Sequence, residues 1–112
     1  MERKKLLIAD DSEMNRAILA NMLEQDYEIM EVSDGKEALA ALQIYRKDLS
    51  ALLLDIVMPE MDGFQVLEEM KQRQWLEDVP TVMISAETGS SYIDQAFELG
   101  AADYINRPFP AT

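Results

Sequence analysis

The chain has 112 residues, of which 48% are hydrophobic and 29% charged, and its 22 acidic and 10 basic residues give a formal net charge of −12. This composition is typical of one globular domain, and the negative charge disfavours direct binding to nucleic acid, which depends on lysine and arginine contacts to phosphate. The chain has no cysteine and no histidine, which excludes disulfides, thiolate metal sites and histidine-based catalysis. Any bound metal must therefore be held by oxygen, which points to Mg²⁺ or another hard cation.

Short apolar runs alternate with segments of helical periodicity along the whole chain. The apolar runs predict strands at residues 6–9, 27–32, 51–54, 81–84 and 102–105. Apolar residues at helical spacing predict helices around residues 14–23, 38–45, 64–70 and 93–99. Ser12 is the predicted N-cap of the first helix, Asp34 and Glu37 form a predicted capping box before the second, and Gly100 is the predicted stop of the fourth.

No segment of the sequence has the features of a signal peptide or a membrane span. The basic residues at the start are followed by an apolar run that stops at Asp10, which is too short for a signal-peptide core. No apolar stretch approaches the length that crosses a membrane. We therefore expect a cytoplasmic protein that does not bind membranes.

Four of the predicted strands lead into a residue that can act on a phosphate group. The first leads into Asp10 and Asp11, the third into Asp55, the fourth into Ser85 and the fifth into Arg107. Each alone has an ordinary structural explanation, such as a surface turn or a solvated charge. Together they are informative, because ligands of parallel sheets bind beyond the carboxyl ends of the strands. Close carboxylates repel unless a cation or proton lies among them, so the set favours a hard metal ion and an anionic ligand.

Four stretches of the chain carry a family resemblance. They are LIADD at residues 7–11, LDIVMPEMDG at 54–63, ISA at 84–86 and GAADYINRPF at 100–109. In this order they resemble the receiver domain of bacterial two-component response regulators. The resemblance covers nearly the whole chain and implies a flavodoxin-like α/β domain over residues 1–112. It also implies a doubly wound parallel sheet of five strands in the order 2-1-3-4-5.

The resemblance implies a phosphoryl acceptor and a magnesium site. Asp55 is the implied acceptor, and the donor is the phosphohistidine of a sensor histidine kinase or a phosphotransfer protein. Asp11, Asp55 and the backbone carbonyl of Val57 are the implied direct ligands of Mg²⁺, whereas Asp10 acts mainly through water. No other cofactor is implied.

Three further residues have implied roles in the response to phosphorylation. Ser85 is expected to hydrogen-bond the phosphoryl group, and Tyr104 is the implied aromatic switch that swings inward as Ser85 moves. Arg107 stands where the family usually has lysine. Arginine keeps the positive charge, but its planar fork places its donors differently from a single ammonium, so the replacement is not conservative.

The implied function is that of a signalling domain, which catalyses only its own phosphorylation and dephosphorylation. Phosphorylation of Asp55 switches a surface that controls an output module in a longer parent chain. Because Arg107 replaces the usual lysine, a second hypothesis stays open: a pseudo-receiver that binds proteins without phosphorylation. An Asp-nucleophile phosphatase is disfavoured, because Val57 stands where such enzymes commonly have a second acid. A nucleotide-binding protein is disfavoured too, since no glycine-rich loop follows the first strand.

The chain stops soon after the fifth predicted strand, so we expect the family's usual fifth helix and the output domain to be missing. The first helix then lies alone on one face of the sheet, and an apolar strip beside it should be open to water. We expect the chain to be marginally stable alone, or to bury the strip in a homodimer. One face is predicted to carry Leu6, Ile8, Leu52, Leu54, Val82 and Ile84.

Overall fold

The computed structural model describes residues 4–85 and 90–106, which form a five-stranded parallel sheet in the order β2-β1-β3-β4-β5. The strands are β1 (Lys4–Ala9), β2 (Tyr27–Val32), β3 (Leu49–Asp55), β4 (Thr81–Ser85) and β5 (Asp103–Asn106). The helices are α1 (Glu13–Leu23), α2 (Gly35–Tyr45), α3 (Gly63–Gln72) and α4 (Ser90–Glu98), and a 3₁₀ turn (Arg46–Asp48) precedes β3. The predicted fold class and strand order are confirmed.

The starts of α2 and α3 show two forms of N-terminal capping. Asp34 caps α2 by accepting a hydrogen bond from the Glu37 N–H at 2.8 Å. The predicted capping box is incomplete there, because the Glu37 carboxylate accepts from the Ser33 N–H rather than from that of Asp34. A full capping box forms instead at Asp62 and Gln65, whose side chains each accept from the other residue's N–H at 2.9 Å. The two caps fix the residues at which α2 and α3 begin.

The larger core lies on the face of the sheet that α2 and α3 cover. It contains alternate residues of the central strands together with apolar residues of these helices: Leu7, Ala9, Leu52, Leu54, Met83, Ala38, Leu42, Val66, Leu67 and Met70. The strand register places Leu52 opposite Leu7. Since side chains alternate along a strand, the prediction that Leu52 and Leu54 share a face with Leu6 and Ile8 was wrong.

The smaller core lies beneath α1. It contains the buried residues Ile8, Leu19 and Ile84, with Ile29 and Leu53 partly buried against them. Leu53 lies at the centre of the sheet, where a fully covered parallel sheet would bury it completely. Leu53 is only partly buried, and the apolar strip beside α1 stays a prediction. Among the described residues, no helix has the length and apolar character needed to cross a membrane.

Candidate functional site

The carboxyl ends of β1 and β3 bring three carboxylates together. Asp10 and Asp11 follow the last residue of β1, and Asp55 is the last residue of β3. The two strands are hydrogen-bonded neighbours, so Asp10 and Asp55 reach the same edge of the sheet. One carboxylate oxygen from each of the three residues lies within 4.8 Å of the other two. We call these three residues the acidic cluster.

The members of the acidic cluster differ in their exposure to water. Asp10 is 1% exposed and Asp55 is 2% exposed, whereas Asp11 is exposed. Buried carboxylates are costly unless hydrogen bonds or a cation compensate their charge, and the third carboxylate adds repulsion. The donor set contains only carboxylate oxygens, which suits Mg²⁺ or Ca²⁺ better than a softer metal. The acidic cluster therefore has the chemistry of a site for a hard divalent cation.

Several hydrogen bonds hold the Asp10 peptide and side chain in place. The Asp10 N–H donates to the Val32 carbonyl at 3.2 Å, and the Asp10 Oδ1 accepts from the Ser12 N–H at 2.8 Å. The Asp10 carbonyl accepts from Arg16 Nη1 at 2.6 Å, and Arg16 Nε donates to Glu31 Oε1 at 3.1 Å. The loop that begins α1 is thereby tied to β2.

Arg16 was not among the residues predicted from the sequence to belong to the site. The sequence does carry a weak indication of it, because Arg16 is the only basic residue between Lys5 and Lys36. A single cation in an acid-rich segment is a candidate partner for the carboxylates nearby. What the sequence could not show is the partner of Arg16, since the contact with Glu31 joins two elements 15 residues apart.

Two glycines position the loop that follows Asp55. Gly63 begins α3, and a Cβ atom there would clash with the carbonyl oxygen of Asp55 and press on the Cα of Ile56. The Gly63 N–H also donates to the Ile56 carbonyl at 2.7 Å. Gly35 begins α2, and a Cβ atom there would clash with the backbone of Met61. The loop therefore passes close to the first residue of each helix, and only glycine allows this approach.

Val57 and Ser85 also lie at this edge of the sheet. Val57 is in the loop two residues after Asp55, and its side chain is exposed. Ser85 is the last residue of β4 and is buried. Asp55 pairs with Ile84 in the strand register, so Ser85 lies one residue beyond the level of Asp55 on the adjacent strand. The structure thus brings a buried hydroxyl-bearing residue to the strand next to the acidic cluster.

Tyr104 lies one strand further along the sheet. It is in β5, pairs with Met83 of β4, and is partly buried against the larger core. Its predicted partner in the switch, Ser85, is on the neighbouring strand. Arg107 lies outside the described residues.

Comparison with known proteins identifies relatives of the chain. The response regulator receiver domain family matches residues 6–112. A probable cyclic di-GMP phosphodiesterase of Vibrio cholerae is 40% identical over 103 residues, which are 92% of this chain and 23% of that protein. The rice protein "Two-component response regulator ORR3" is 33% identical over 104 residues, covering 92% of this chain and 79% of the relative.

A solved structure agrees with these sequence relatives. The CheX–CheY–BeF3–Mg²⁺ complex of Borrelia burgdorferi contains a chain that superposes with a TM-score of 0.88 at 26% identity, covering 95% of this chain and 79% of that one. The chain spans less than half the length of several other curated relatives that it matches. The match of the family over residues 6–112 and the sheet order agree, and the chain belongs to the response regulator receiver domain family.

Proposed function

We propose that the chain accepts a phosphoryl group on Asp55 from the phosphohistidine of a sensor histidine kinase or a phosphotransfer protein. The observation that carries this proposal is the acidic cluster, with carboxylate oxygens within 4.8 Å of one another at the carboxyl ends of two neighbouring strands. Asp55 is the member that β3 itself holds, and it is buried.

In the proposed reaction, a carboxylate oxygen of Asp55 attacks phosphorus from the side opposite the phosphohistidine nitrogen. The P–N bond breaks, its electron pair leaves with the imidazole, which ends protonated, and an acyl phosphate forms on Asp55. Such a transfer depends on in-line positioning and on neutralising the charge of the phosphoryl oxygens more than on covalent help from the protein. The close approach of Gly63 to the Asp55 carbonyl limits movement of the Asp55 backbone.

The metal expected here is Mg²⁺, held by Asp11, Asp55 and the backbone carbonyl of Val57, with Asp10 acting mainly through water. When bound, it supplies positive charge for the phosphoryl oxygens and for the three carboxylates. Two observations support this assignment. The donor atoms of the acidic cluster are all carboxylate oxygens, and a solved relative was crystallised as a complex with BeF3 and Mg²⁺.

After transfer, the Ser85 hydroxyl is proposed to donate a hydrogen bond to the phosphoryl group. Tyr104, partly buried on the next strand, then turns further inward and changes the surface near α4 and β5. Arg107 is proposed to supply a positive charge to the phosphoryl oxygens, as the family's lysine does. The changed surface would control an output module beyond this segment, in keeping with the chain's coverage of only 23% of the Vibrio cholerae relative. Protein partners are supported by the solved CheX–CheY complex.

The test is intact-mass measurement after treatment with a small phosphodonor and Mg²⁺. We expect one added phosphoryl group on the wild type and none on Asp55→Asn. Asp26→Asn is the matched control, because Asp26 is exposed and immediately precedes β2, at the opposite edge of the sheet. Equal labelling of the wild type and Asp55→Asn would disprove the acceptor. An unlabelled wild type would favour the phosphorylation-independent binding module instead.

A further inference from the structure

Arg16 connects the loop that carries two members of the acidic cluster to strand β2. Its Nη1 donates to the Asp10 carbonyl at 2.6 Å, and its Nε donates to Glu31 Oε1 at 3.1 Å. The Arg16 side chain is 17% exposed and the Glu31 side chain is 42% exposed, so the contact with the Asp10 carbonyl is partly buried whereas the contact with Glu31 is open to water. A hydrogen bond from a charged donor is shorter and stronger than one between neutral groups, which fits the distance to the Asp10 carbonyl.

These contacts hold both sides of the Asp10 residue on β2. The Asp10 N–H is fixed by the Val32 carbonyl, and the Asp10 C=O is fixed through Arg16 by Glu31. Asp11 follows directly, so the orientation of the Asp10 peptide also sets where the Asp11 carboxylate leaves the chain. Removing the Arg16 side chain would remove a hydrogen bond from the Asp10 carbonyl and the link to Glu31 without removing any carboxylate of the acidic cluster.

The charge of Arg16 has a second effect. It places a guanidinium against the backbone of a residue whose carboxylate is buried close to two others. A nearby positive charge offsets part of the repulsion between close carboxylates. The ion pair with Glu31 compensates part of this charge.

We propose that Arg16 is a positioning residue for the acidic cluster. It contacts neither the metal nor the phosphoryl group, and it keeps the Asp10 and Asp11 carboxylates in reach of Asp55. This inference rests on the proposed function, because it concerns the same metal and acceptor site. Residues that orient metal ligands from behind typically change metal affinity by about 10- to 100-fold when they are removed.

The test is a Mg²⁺ titration of the wild type and the Arg16 variants. The backbone amide NMR shifts of Asp11 and Asp55 report the binding. We expect Arg16→Ala to raise the Kd for Mg²⁺ by about tenfold. Arg16→Lys should recover part of the affinity, because one ammonium cannot reproduce both contacts of the planar guanidinium. In the metal-free protein, the Ser12 amide should exchange with solvent faster in Arg16→Ala, since its acceptor is the Asp10 carboxylate.

Arg73→Ala is the matched control. Arg73 also pairs with a glutamate, Glu69, at 3.2 Å, but it does so at the end of α3 and away from the acidic cluster. Its removal changes the net charge by the same amount and should leave the Kd for Mg²⁺ unchanged. If Arg16→Ala does not fold, Glu31→Gln replaces it, because this change keeps a carbonyl acceptor but removes the charge that anchors Arg16.

Two results separate the inference from the proposed function. If the wild type binds Mg²⁺ and becomes phosphorylated while folded Arg16→Ala has the wild-type Kd and Ser12 exchange rate, the role of Arg16 is disproved and the proposed function stands. If the wild type binds no Mg²⁺ and accepts no phosphoryl group, the proposed function fails and the role of Arg16 fails with it. An equal loss of Mg²⁺ affinity in Arg73→Ala would mean that the effect of Arg16→Ala comes from the change in net charge. That result would also contradict the proposal.

Discussion

At the scale of single residues, Asp10 and Asp11 are neighbours in the chain but occupy different environments. Asp10 is buried and its carboxylate accepts the Ser12 N–H, whereas Asp11 is exposed. We predict that Asp11→Ala weakens Mg²⁺ binding more than Asp10→Ala, because Asp11 is the expected direct ligand and Asp10 acts mainly through water. Loss of an indirect ligand should raise the Kd about tenfold, and loss of a direct one should raise it further. Calorimetry measures both, and an Asp11→Ala protein that titrates like the wild type would show the ligand set to be wrong.

The acidic residues were predictable from the sequence and Arg16 was not, for a physical reason. Asp10, Asp11 and Asp55 follow apolar runs, and the geometry of parallel sheets brings strand ends to one edge whatever the helices do. The role of Arg16 depends on the distance between the first turn of α1 and a side chain on β2. No local pattern encodes that distance. Ser85 and Tyr104 were predictable in part. The strand order indicates which strands carry them, but it does not indicate how deeply their side chains are buried.

At the scale of elements, the start of α3 is a tightly constrained junction near the acceptor. We predict that Gly63→Ala lowers the free energy of unfolding by about 1–3 kcal/mol, because a Cβ atom there meets backbone atoms that cannot move aside easily. Its contact is the Asp55 carbonyl, so phosphorylation of Asp55 should slow as well. Urea denaturation and the rate of labelling by a small phosphodonor measure the two effects.

Gly35→Ala is the control for this prediction. The added Cβ atom at Gly35 clashes with the Met61 backbone, at the far end of the same loop from Asp55. We expect a similar loss of stability and a smaller loss of labelling rate. Wild-type stability of Gly63→Ala would contradict the close approach of α3 to the acceptor.

The sequence predicted the first and last residues of the strands more accurately than it predicted which face of the sheet each side chain lies on. The second strand was predicted at its observed bounds, and β5 begins one residue later than predicted. The face of β3 was misassigned because its residues Ala51 to Leu54 are all apolar, and a continuous apolar run gives no indication of which residues face which helix. The pairing of Leu52 with Leu7 determines which residues of β3 face α2 and α3, and that pairing depends on the whole sheet.

At the scale of the whole molecule, the outer surface of α1 carries an apolar stripe. Met14 is 73% exposed, Ile18 is 41% exposed and Met22 is 52% exposed, and their spacing of four residues places them on one side of the helix. At about 25 cal/mol per Å², burying a few hundred Å² of such surface would contribute several kcal/mol, which is comparable to the stability of a domain. We expect this surface to be buried against a second copy of the chain at high concentration.

Sedimentation measures this expectation. Ile18→Glu should keep the 112-residue chain monomeric at concentrations where the wild type associates, because a charge at the centre of the stripe is costly to bury. Ile44→Glu is the control, since Ile44 is an exposed apolar residue on α2. A wild type that remains monomeric at high concentration would show that the stripe does not support self-association.

The central claim for the molecule is that the acidic cluster makes Asp55 a Mg²⁺-dependent acceptor of a phosphoryl group. The most direct measurement is peptide mapping by mass spectrometry after treatment with a small phosphodonor, with Mg²⁺ and with excess chelator. We expect a single phosphoryl group, located on Asp55, in the sample with Mg²⁺ and little or none in the chelated sample. A phosphoryl group on Asp10 or Asp11, or equal labelling of Asp55 without the metal, would contradict it.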